Sequence, residues 1–87
     1  MKIHFTKNFK KQFKKLSDDD KSLAFEVIEK ISNGKVLEKR FKNHALKGKF
    51  KGLSECHLKP DLLLVYEIKN EIFTLFCVGI GSHSELF

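Results

Sequence analysis

Apolar residues recur along this chain with two different periods, and the switches between them divide it into elements. Lys2 to Thr6 (KIHFT) alternates polar and apolar positions, which predicts a short strand. Phe9, Phe13 and Leu16 fall at i, i+4 and i+7, so Lys7 to Leu16 predicts a helix with one apolar stripe. Ser17-Asp18-Asp19-Asp20 opens a second helix: serine caps the free N–H groups, and the acids suit the positive end of the helix dipole. It carries Leu23, Val27, Ile28 and Ile31 on one face, and Asn33-Gly34 closes it at Ser32. A very short turn joins the two helices, which predicts an antiparallel hairpin.

Lys35 to Lys51 follows neither period and is expected to be irregular. Leu53 to Leu58 is a strand, Pro60-Asp61 a turn, and Leu62 to Ile68 (LLLVYEI) a buried strand. Asn70-Glu71 marks a hairpin turn into Ile72 to Val78. After Gly79 and Gly81 the tail SHSELF is polar and ends on Leu86 and Phe87. The order β-α-α-β-β-β predicts an α+β fold in one domain, residues 1–87. A helical hairpin packs on a mostly antiparallel four-stranded sheet.

Composition narrows the class. An apolar fraction of 41% and a charged fraction of 32% fit a water-exposed globular domain. No run approaches the ~20 apolar residues of a membrane span, and MKIHFTKNFKK has no signal-peptide core, so the cytoplasm is the expected compartment. Cys56 and Cys77 are expected to be reduced. No CxxC or HxxxH pair announces a metal site, and none is expected.

Charge is strongly polarised. Residues 1–51 carry fifteen Lys and Arg against six acids, whereas 52–87 carry two Lys against five acids. The first half therefore suits an anionic polymer, with salt-dependent association. Phe41 and Phe50 interleave with the basic residues of 35–51, a pattern that suits single-stranded nucleic acid as well as two aromatics anchored in the core.

Histidine supplies the candidate chemistry. His44 opens HALKG, His57 and Asp61 share ECHLKPD, and His83 lies in GSHSELF, each at the end of an element. His4 alternates away from Ile3 and Phe5 and is expected to be a plain exposed strand residue. Three imidazoles and a carboxylate suit metal-free RNA cleavage. A base takes the ribose 2′-hydroxyl proton, the oxyanion attacks phosphorus, and an acid protonates the leaving 5′-oxygen. Imidazole serves either role near neutrality, and a cation must steady the charge on the phosphorane oxygens.

HALKG, GLSECHLKPDLLLVY and GSHSELF together resemble the YafQ branch of the RelE/ParE superfamily, toxins of type II toxin–antitoxin modules. The resemblance covers essentially the whole chain. It implies a RelE-like fold and a ribosome-dependent mRNA endonuclease held inactive by an antitoxin. The implied partners are that antitoxin, mRNA and the ribosome, with no cofactor and no membrane, and the free toxin is expected to be a monomer. By motif, His44, His57, Asp61 and His83 match catalytic positions, with His83 the general acid and the base left open among the other three. Phe87 matches an aromatic that positions substrate, and Glu55 is a further candidate in the strand motif. Two departures stand out. Gly79 occupies the position where the family commonly has a phosphate-steadying arginine, for which Lys47, Lys49 or Lys51 could substitute. Leu62 replaces a bulky aromatic. The alternative is a ParE-like toxin that inhibits a protein target, or a module that only binds RNA and antitoxin.

Overall fold

Five strands, not four, form the sheet, in the order β1-β5-β4-β3-β2. The computed structural model describes all 87 residues. The elements are β1 (Lys2–Phe5), α1 (Lys7–Phe13), α2 (Asp18–Ser32), β2 (His44–Ala45), β3 (Ser54–Lys59), β4 (Leu62–Lys69), β5 (Thr74–Gly81) and α3 (His83–Leu86). The unexpected strand, β2, is two residues long and lies within the basic stretch expected to be irregular. It pairs His44 with Glu55 and Ala45 with Ser54. So short a strand leaves no period in the sequence.

The sheet is antiparallel except at one edge, where β1 runs parallel to β5, from Lys2 beside Thr74 to Phe5 beside Cys77. β1 stops there, but β5 continues to Gly81, and α1 takes over its open edge. Thr6 caps α1 by accepting from Phe9 N at 3.1 Å, and its hydroxyl donates to Cys77 O and Val78 O. Asn8 Nδ2 donates to Val78 O at 3.2 Å, and Gln12 Oε1 accepts from Ile80 N at 2.9 Å. Polar side chains of a helix thus satisfy strand groups that no neighbouring strand reaches.

Ser17 caps α2 by accepting from Asp20 N at 3.2 Å, and Gly34 follows its end with φ +74°, the left-handed conformation glycine adopts freely. α2 buries Ala24, Val27, Ile28 and Ile31, and with Phe9 of α1 these cover one face of the sheet. The sheet contributes Cys56, Leu58, Leu64, Tyr66, Leu75, Cys77 and Ile80 to that core. Strand alternation sends Glu55, His57, Leu63 and Val65 to the opposite face.

Element ends differ from the sequence expectations for local reasons. α1 stops at Phe13, and Lys14 to Leu16 form the turn into α2. The last hairpin closes through a 3₁₀ turn at Asn70–Ile72 with Phe73 in the left-handed region, so β5 begins at Thr74. The tail is helical from His83 because Ser82 and Glu85 form a reciprocal capping box. No helix is long and apolar enough to cross a membrane.

Candidate active site

His44 is held from two sides. Lys42 adopts a left-handed conformation (φ +47°) that turns the chain from the 3₁₀ turn Lys39–Phe41 into β2. Asn43 is fixed by the buried Tyr66, whose hydroxyl donates to Asn43 Oδ1 at 2.6 Å. Burial pushes the Tyr66 hydroxyl above its ordinary pKa, an effect the Asn43 hydrogen bond partly opposes. His44 Nδ1 lies 2.7 Å from Lys42 O; a carbonyl only accepts, so Nδ1 is the donor. Its Nε2 then faces Glu55 Oε2 at 3.1 Å. Glu55 is 7% exposed, and His44 is its only side-chain partner. Any hydrogen bond across that gap places a proton between the two. His57 sits two residues beyond Glu55 on the same face, its ring centroid 6.4 Å from that of His44 with the planes 28° apart. These three side chains form one cluster.

A second cluster is built on α3. The Ser82 hydroxyl accepts from Glu85 N, and Glu85 Oε1 accepts from Ser82 N at 2.8 Å. The Ser82 N–H, then its hydroxyl, hold the Glu85 carboxyl below its ordinary pKa. A Cβ on Gly81 would lie 2.9 Å from Glu85 Oε1, so glycine leaves room for the box. The box sets His83 at the first position of α3, where its ring packs 5.2 Å from Phe87. Phe87 meets Phe50 edge-on at 5.0 Å, and Lys49 Nζ stands 5.3 Å from the Phe50 centroid.

The sheet sets the two clusters opposite each other. His57 pairs with Leu63, and Leu63 with Gly81. Two strand spacings, about 10 Å, therefore separate His57 from the residue that leads into His83. His44, Glu55 and His57 stand on one side of the buried Leu63, and His83 with its aromatics on the other.

Other expected residues fall differently. Asp61 lies in the exposed β3–β4 turn and makes no ion pair or side-chain hydrogen bond. Leu62 is buried in the core and faces no open site. Lys47 and Lys51 are exposed near Lys49 without acidic partners. His4 is exposed on β1, its ring tilted against Phe76 at 5.2 Å. Gly79 is not an open slot. A Cβ there would lie 3.0 Å from Gln12 Oε1 and 3.1 Å from Leu86 Cδ2. No three His, Cys, Asp or Glu side chains are spaced to hold a metal ion. Asn43 and Tyr66 support the site without having been singled out by sequence; their roles follow from contacts distant in the chain.

Comparison with known proteins agrees in both sequence and fold. The family profile described as a bacterial toxin of type II toxin–antitoxin system, YafQ, matches residues 1–87. The mRNA interferase toxin YafQ of Escherichia coli K12 is 29% identical over 83 residues, covering 95% of this chain and 87% of that one. A metal-bound toxin from Helicobacter pylori superposes with a TM-score of 0.92 at 46% identity, over 100% of this chain and 99% of that one. The Escherichia coli DinJ–YafQ toxin–antitoxin complex matches with a TM-score of 0.83 at 25% identity, over 98% of this chain and 94% of that chain.

Proposed function

The chain belongs to the YafQ family of bacterial type II toxin–antitoxin toxins, and on that premise we propose that it is an mRNA interferase, an endoribonuclease acting on message in the ribosome. The observation that carries this is the pair of facing clusters: His44, Glu55 and His57 on the β2–β3 wall, His83 and Phe87 on α3.

In the proposed reaction one member of the first cluster takes the proton from a ribose 2′-hydroxyl. His57 is the imidazole of that cluster with no hydrogen-bond partner, and the His44–Glu55 pair stands beside it. Asp61, in the exposed β3–β4 turn, remains the alternative base. The 2′-oxygen attacks the adjacent phosphorus, and the bond to the 5′-oxygen breaks as His83 gives that oxygen a proton. The products are a 2′,3′-cyclic phosphate and a 5′-hydroxyl. Phe87, backed by Phe50, offers an aromatic face for a base beside the cleaved bond. Lys47, Lys49 and Lys51 line the same side with positive charge. No step needs a metal ion.

The named complex of a relative supports an antitoxin partner for this chain as well. An acidic antitoxin segment would suit the basic first half, and it would inhibit by covering the two clusters. A non-nucleolytic toxin is the competing possibility, favoured by the filled position at Gly79. The two separate in one experiment. Induced expression is expected to arrest growth and leave mRNA cut within ribosomes, while His83→Ala folds but neither arrests nor cuts. Arrest that persists in His83→Ala with intact message sinks the nuclease assignment.

A further inference from the structure

Because β2 spans only two residues, the edge of β3 beyond Glu55 has no strand beside it. The 3₁₀ turn Lys39–Phe41 packs against that end instead, and the gap between them is a cavity of about 360 Å³. One wall is His57, Leu58, Lys59 and Pro60; the other is Arg40, Phe41 and Lys42. Its lining holds three cations and no carboxylate. His57 belongs both to this cavity and to the catalytic cluster.

Arg40 is the only arginine in the chain. Its guanidinium carbon stands 4.5 Å from the centroid of Phe41, and Phe41 is 1% exposed within the core. A ring packed in the core gives the guanidinium a platform. Its planar fork then suits two phosphate oxygens at once, which an ammonium cannot match. Lys42 stands free of any acidic side chain, whereas Lys59 is tied to Asp20. Arg40 has one competitor, Glu38, at 3.3 Å, but both side chains are well exposed and such a pair yields readily to a phosphate.

We propose that this cavity is an RNA phosphate subsite, in which Arg40 and Lys42 grip the backbone phosphate next to the one cleaved beside His57. The proposal rests on the nuclease assignment for its substrate class, and it supplies the guanidinium that Gly79 does not. The subsite reads backbone and not bases, so it contributes affinity without sequence preference. It fixes the strand so that the neighbouring ribose lies over His57.

The test uses the full chain and a fluorescent single-stranded RNA hexamer carrying 2′-O-methyl groups, which bind but cannot be cut. Anisotropy is read across a salt series. Arg40→Ala is expected to weaken binding about tenfold and to lower the salt slope by about one. Arg40→Lys restores the slope but only part of the affinity. Lys14→Ala, on the helical hairpin, is the control for general charge and loses less than Arg40→Ala. The proposal falls if Arg40→Ala binds unchanged, if Lys14→Ala loses as much, or if the wild type fails to bind the oligomer at low salt. Loss of binding in Arg40→Ala beside a wild type that never cuts ribosome-bound message would uphold the subsite and sink only the nuclease assignment.

Discussion

Restoring the family's arginine by Gly79→Arg should damage this protein, not improve it. The first side-chain atom would already lie 3.0 Å from Gln12 Oε1 and 3.1 Å from Leu86 Cδ2. Gln12 cannot swing away freely, because Oε1 accepts the hydrogen bond of Ile80 N at 2.9 Å and is steadied by Asn8 Nδ2 at 3.3 Å. Ile80 is 1% exposed, so displacing Gln12 strands a buried N–H. That alone costs about 1–3 kcal/mol. For a domain of this size each kcal/mol moves Tm by about 4–8 °C, so a fall of roughly 5–20 °C is expected. Displacing Leu86 also tilts α3, which carries His83 and Phe87. Cleavage in single-turnover assays on programmed ribosomes should therefore drop alongside Tm, measured by calorimetry. Gln12→Ala combined with Gly79→Arg opens space for the new side chain and should cleave better than Gly79→Arg alone. Unchanged Tm and faster cleavage in the single variant would refute the packing argument and show an open slot at residue 79.

Ser82→Ala removes the cap of α3 and should cost about 0.5–2 kcal/mol of local helix stability. Its cleavage rate should fall although no reacting group is lost, while circular dichroism of the whole domain barely changes. Glu85 adds a pH dependence to the same helix. Its carboxyl pKa is depressed by Ser82, so its stabilisation is present above the ordinary carboxylate range and is lost as pH falls through the lowered value. Amide exchange in α3 should accordingly speed up in acid before the sheet responds. Tyr66→Phe deletes the bond to Asn43 and should cost about 0.5–1.5 kcal/mol, with a loss of kcat as the support of His44 loosens. Burial pushes the Cys56 and Cys77 thiols up to about 12, so native protein at pH 8 holds roughly a thousandfold less thiolate than an ordinary cysteine. Iodoacetamide should label both only on unfolding, as read by mass spectrometry.

Most of the scaffold was legible because its periods are long enough to count. The stripe of Val27, Ile28 and Ile31 and the run LLLVY became α2 and β4 as the sequence implied. The chain's departures are all short or relational. β2 is two residues inside a lysine-rich stretch, too brief for alternation to register. The parallel pairing of β1 with β5 joins residues more than seventy positions apart, and nothing local specifies its direction. α3 was readable in principle, since Ser82 and Glu85 stand three apart as a capping box requires. At the site, histidine position pointed to His44, His57 and His83, but partnership did not follow from it. Glu55 reaches His44 because the β2–β3 register sets them side by side, whereas Asp61, closer to His57 in sequence, stays in an exposed turn. Gly79 reads as a missing group in the sequence, whereas in the fold Gln12 and Leu86 side chains stand 3.0 and 3.1 Å from where its Cβ would lie.

The division of labour between the two clusters is the central claim, and the leaving group tests it most directly. A ribosome-bound message can carry sulfur in place of the 5′-bridging oxygen at the mapped cleavage site. A thiolate leaves without a proton, so an acid is no longer needed at that step. His83→Ala should lose cleavage on the natural message and recover most of it on the sulfur-containing one. His57→Ala should stay slow on both. If sulfur fails to rescue His83→Ala, or rescues His57→Ala instead, the clusters do not divide acid from base as proposed.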